Sequence, residues 1–123
     1  MPIIVTIDHQ RHEVRAVCVG PIRLSDSMAH LEREAREHGL SYRKLMDTRG
    51  SGFEISEDET RTVADSLREL SKKNAIGPAA VVVSSEAIFE MTQMITRLTG
   101  DCCQIRAFRD EKEAREWLAS QPI

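Results

Sequence analysis

Hydrophobic and polar positions change period several times along the chain, and each change marks an element. Residues 3 to 7, IIVTI, and 13 to 20, EVRAVCVG, are β-branched runs separated by the polar DHQRH, which predicts an N-terminal hairpin. In the second run Val14, Ala16 and Cys18 share one face while Arg15, Val17 and Val19 share the other. From Leu24 the period becomes helical: Leu24, Met28, Leu31 and Ala35 form one stripe, and the remaining faces are almost wholly charged. Ser25 suits the N-cap of this helix, and Gly39 suits the left-handed residue after its end.

A strand is predicted over 42–47, YRKLMD, then a loop with two glycines, then a helix over 57–73 with Thr60, Val63, Leu67 and Leu70 inward. AAVVVSS, residues 79 to 85, carries three consecutive valines without alternation, the pattern of a parallel strand buried on both faces. A helix over 86–99 ending at Gly100, a strand over 104–109 and a helix over 110–119 complete the chain. The order ββαβαβαβα demands an α/β fold, with a mixed, mostly parallel sheet of about five strands and about four helices. With 123 residues and no linker, repeat or low-complexity segment, residues 1–123 read as a single domain. Any ligand site is expected beyond the carboxyl ends of the parallel strands, where DTRGSG and SSEA emerge.

Composition narrows the function classes. A net charge of -3 with both signs interspersed offers no broad basic surface, which argues against nucleic acid as a partner. The three cysteines cannot all pair within the chain and lack zinc-ligand spacing, so a reducing, cytoplasmic setting is expected. The longest apolar run, AIGPAAVVV, is far shorter than the roughly 18 residues that span a bilayer, and no integral membrane segment is expected.

Motif chemistry excludes more than it supports. A Walker A loop requires a lysine and a hydroxyl after its last glycine, and Gly52 is followed by Phe53 and Glu54. A dinucleotide fingerprint requires a third glycine where Ile55 stands, and Glu54, Glu57, Asp58 and Glu59 would repel a pyrophosphate. His9, His12, His30 and His38 lack metal-pair spacing and read as surface residues. Cys102 and Cys103 follow Asp101, whose charge opposes thiolate formation. No nucleophile elbow occurs, and no catalytic, cofactor or metal site is predicted: the chain reads as a non-enzyme.

The strand ending LMDTRG, the segment IFEMTQM and the terminal RAFRDEKEAREWL resemble the SpoIIAA-like members of the STAS superfamily, the fold of anti-sigma-factor antagonists. Thr48 departs from the apolar residue of the family's strand-end motif. The fold is also similar to CRAL-TRIO-type lipid-binding domains. The resemblance implies a regulatory or protein-interaction module, with a phosphorylatable serine near Ser56 in true antagonists. Read from the residues themselves, Ser56 with Glu59 is a capping box, and Glu57 and Asp58 already supply the charge that a phosphate would add.

Asp47 and Arg49, on one side of an extended chain, read as an ion pair that anchors a loop or as the rim of a polar site. Ser84 and Ser85 read as the N-cap of the next helix or as hydroxyls lent to that site. Phe89, Met91 and Met94 belong to a helix more apolar all round than one stripe requires, and line the core, a partner surface or an apolar-ligand cavity. Two functions follow: a regulatory domain acting through residues 47–58 and the 86–98 helix, or a small apolar-ligand or lipid carrier whose pocket lies near that helix, with Phe89, Met91 and Met94 in the wall and Asp47 and Arg49 at the mouth. Self-association as a homodimer is a third possibility.

Overall fold

The computed structural model describes residues 3–121, with the backbone alone at Phe53. Strands β1 (Ile3–Asp8) and β2 (Glu13–Ile22) form the N-terminal hairpin, followed by α1 (Leu24–Arg36), β3 (Arg43–Phe53), α2 (Glu57–Ser71), β4 (Ala79–Val82), α3 (Glu86–Thr99), β5 (Ile105–Phe108) and α4 (Glu111–Ser120). A short 3-10 turn, Gly100–Cys102, joins α3 to β5. The five strands lie in chain order, with β1 antiparallel to β2 and all other neighbours parallel.

Period-2 alternation assigns each strand residue to a face. On one face Leu45, Ala80, Val82 and Phe108 meet Ala114, Leu118 and Trp117 of α4. On the other, Val81 and Val83 pack with Ile88 of α3, while Ala16, Cys18 and Ile22 join Ile3. The valine run is buried on both faces, as its lack of alternation predicts. Each buried Val, Leu or Ile contributes roughly 1.5–3 kcal/mol, so this strand is the centre of the core. One helix cannot cover five strands: α4 packs on β3, β4 and β5, and Ile4 of β1 and Val19 of β2 remain more than half exposed.

Three local expectations change. The residues after Asp47 are strand: β3 runs on beside β2, with Val19 opposite Gly50 and Ile22 opposite Phe53. Between Val17↔Asp47 and Val19↔Gly50 the register shifts, so Thr48 and Arg49 together oppose Cys18 in a β-bulge. Ser25 is not the cap of α1; the cap is Arg23, two residues earlier, and the Asp26 carboxylate accepts from the Arg23 N–H at 3.0 Å. The left-handed residue after α1 is His38 (φ 61°), while Gly39 lies under Val14, where a Cβ would approach Val14 Cγ2 to 3.3 Å. Close packing, not backbone handedness, gives Gly39 its place.

Candidate functional site

The sequence-selected residues fall into three places. At the bulge in the middle of β3, Arg49 turns back onto Asp47: Nε and one Nη donate to the carboxylate at 3.0 and 2.8 Å. The same Nη reaches Glu111 Oε1 at 2.7 Å, and Arg115 donates to the other oxygen of Glu111 at 2.8 Å, giving an alternating chain of four charges. Hydrogen bonds from Arg49 hold the Asp47 carboxyl below the usual carboxylate range, and those from Arg115 do the same for Glu111. Ser84 Oγ donates to the Arg49 carbonyl at 3.3 Å, whereas Ser85 caps α3 by accepting from the Ile88 N–H. Thr48, buried in the bulge, donates to the Val82 carbonyl at 2.7 Å, which gives the departing residue a structural role.

Ser56 stands elsewhere. Four residue steps of extended strand lead from Arg49 to Phe53, about 13 Å of chain. There Ser56 accepts from the Glu59 N–H at 3.1 Å and the Glu59 carboxylate accepts from the Ser56 N–H at 3.0 Å, the reciprocal capping box read from the sequence.

The α3 residues divide between surface and interior. Phe89 lies half-buried beneath the Arg109 guanidinium, 4.4 Å from its ring centre, and Arg109 also pairs with Glu86 at 2.8 Å. Met94 is half-buried, and Met91 faces inward.

Met91 faces a cavity of about 140 Å³. It lies between the sheet and α1, α2 and α3, walled by Ile3, Val14, Leu67, Val81, Ile88 and Met91. Phe89 and Met94 do not line it. Nor are Asp47 and Arg49 at its mouth: Asp47 shares the α4 face with Leu45, on the far side of the sheet.

The polar groups at the cavity come from residues that sequence reasoning had placed elsewhere or passed over. His30 and Glu34, read as part of the charged outer face of α1, point inward with side chains 7% and 1% exposed. His30 Nε2 and Glu34 Oε2 are 3.0 Å apart, while His30 Nδ1 and Glu34 Oε1 make no hydrogen bond to another described residue. Lys44 enters from β3, opposite Val14, and donates to the carbonyls of Leu40, Tyr42 and Gly77. Burial lowers its pKa, against the opposing pull of Glu34. The overlooked signal was the i, i+4 spacing of His30 and Glu34, which puts both on one helix face with Ser27.

Two buried thiols, Cys18 and Cys103, resist ionisation. Burial, with the charge of Asp47, pushes Cys18 up to about 11; burial, with the neighbouring Cys102, pushes Cys103 up to about 12. Among the described residues, no helix is long and apolar enough to cross a membrane.

These observations define an α/β domain with a SpoIIAA-like fold. No protein-family model and no curated protein matches the sequence. Among solved structures, the chain is similar to an uncharacterised protein of the DUF3478 family from Shewanella loihica, described as having a SpoIIAA-like fold. The TM-score is 0.61 at 16% identity, over 94% of this chain and 91% of that one. It is also similar to the anti-sigma factor antagonist SpoIIAA in its unphosphorylated form, with a TM-score of 0.58 at 12% identity, over 97% of this chain and 99% of that one.

Proposed function

We propose that the chain is a non-catalytic regulatory module of the cytoplasm that acts by binding a protein partner. The observation that carries this reading is the fold shared over nearly the full length with an anti-sigma factor antagonist. The surface proposed for the partner runs from Asp47 and Arg49 at the β3 bulge and Ser84 after β4 to Ser56 at the start of α2, and onto Phe89 of α3. The exposed guanidinium of Arg109 above Phe89 gives that end an aromatic and cationic character. The test is affinity capture from host lysate with wild type, Ser56→Asp and Phe89→Ala, each checked for native circular dichroism. The reading expects a captured protein that either folded variant loses; capture indifferent to both removes this surface.

A second reading, a small apolar-ligand carrier, is favoured by the cavity beneath α1. At about 140 Å³ it is smaller than typical pockets of 300 Å³ or more, and suits a ligand of roughly one ring. Native mass spectrometry against the denatured mass checks it, since a carrier loses its added mass on denaturation. The same experiment run over a concentration series reports any homodimer.

A further inference from the structure

The cavity beneath α1 is largely apolar; Ser27 and Thr92 bring hydroxyls to its wall, that of Thr92 donating to the Ile88 carbonyl, and His30, Glu34 and Lys44 bring the ionisable groups, which differ in one respect. Lys44 has three ammonium protons and three backbone carbonyls to receive them, from Leu40, Tyr42 and Gly77, so its hydrogen bonding is complete. His30 and Glu34 spend one atom each on one another and keep one each, Nδ1 and Oε1, without a partner among the described residues. Both side chains are more than nine-tenths buried, and both line the cavity.

Packing does not explain the pair. Apolar side chains of like size would fill the same space under α1 without the desolvation that a buried carboxylate incurs. An unsatisfied buried acceptor is costly, and the cost is relieved by a donor brought to it. An ionised carboxylate only accepts, and when His30 donates through Nε2 to Glu34 its Nδ1 accepts too. The polar end of the cavity is therefore rich in acceptors and asks for a donor. The walls ask for an apolar body the size of a single ring, because a dry cavity of about 150 Å³ accommodates benzene.

We infer that this cavity is a recognition site for a small neutral molecule with an apolar ring-sized body and a hydroxyl or amine head, and that Glu34 and His30 read the head. The inference rests on the carrier reading and adds the ligand's chemistry to it. Carboxylate ligands are disfavoured, because they would set a second anion beside Glu34 while the Lys44 ammonium already gives its protons to three backbone carbonyls. Selectivity follows from a hydrogen bond made to a buried acceptor and absent from a shape-matched hydrocarbon.

Phenol, toluene and benzoate share a ring and differ in the head, so their binding to the full chain by isothermal titration calorimetry is the test. The expected result is phenol bound about tenfold or more tightly than toluene, with benzoate unbound. Glu34→Leu should weaken the preference for phenol while retaining toluene. Should that variant fail to fold, nitrogen NMR of His30 in the wild type serves instead: phenol, and not toluene, should shift Nδ1. Toluene bound as tightly as phenol, or phenol binding that leaves His30 unmoved, overturns the inference and leaves an apolar carrier standing. No binding of any of the three overturns the inference and the carrier reading together.

Discussion

Removing the His30 imidazole would leave the Glu34 carboxylate buried with one partner fewer, whereas removing both groups would leave none to satisfy. His30→Leu is therefore expected to cost about 3 kcal/mol, and the double replacement His30→Leu with Glu34→Leu to be neutral or stabilising. Urea unfolding of the two single variants and the double one gives the coupling directly, and additive effects would show that the pair does not interact. The same two residues show where sequence reading stopped. Histidine and glutamate on a helix rich in Arg and Glu carry the signature of a solvated face, and composition outweighed the spacing that groups them with Ser27 and Leu31. Ser56 was legible because its partner is local: a capping box is complete within four residues. His30 is buried at a cavity that it shares with residues as distant in the chain as Leu67 and Met91.

Elements with strong periodicity and a firm stop were read almost to the residue, such as α3, whose end at Gly100 has the positive φ that glycine permits. The extension of β3 was not legible, because two glycines in six residues read as a loop until β2 supplies the hydrogen bonds that make them a strand. The resulting glycines are not equivalent. A Cβ on Gly77 would meet the Tyr42 carbonyl oxygen and the backbone of Ser41, the turn that also delivers carbonyls to Lys44. A Cβ on Gly52 would meet nothing within 4 Å. Gly77→Ala is therefore expected to cost about 3 kcal/mol, at the upper end of overpacking, while Gly52→Ala stays within about 0.5 kcal/mol of wild type. Thermal melts of both variants check this, and a harmless Gly77→Ala would mean that the 41–44 turn moves freely.

For the molecule as a whole, the pH dependence of stability combines groups from several elements. Asp47 and Glu111 have folded pKa values depressed by their arginine partners, so they add stability above the ordinary carboxylate range. That contribution is lost as pH falls through their folded pKa values, which places the acid limb below about pH 4. Because the arginines are exposed, the loss is modest and should shrink in high salt; Arg49→Gln should flatten it. Cys18 and Cys103 act at the other end. Their thiols stay protonated up to about 11 and 12 in the fold but ionise near 9.0 when unfolded, so stability is full below pH 9.0 and declines above it. Lys44 opposes this decline, because its lowered pKa lets the fold shed an ammonium that the unfolded chain keeps. Urea midpoints from pH 3 to 11 trace both limbs, and Cys103→Ala should make the alkaline one shallower. The strand order has a consequence for synthesis. Every strand after the first pairs with the one made immediately before it, so none must be threaded between neighbours already joined. A chain leaving the ribosome N-terminus first can add each βα unit to a finished edge, which keeps loop closure short and leaves one growing edge at a time to be shielded from other chains.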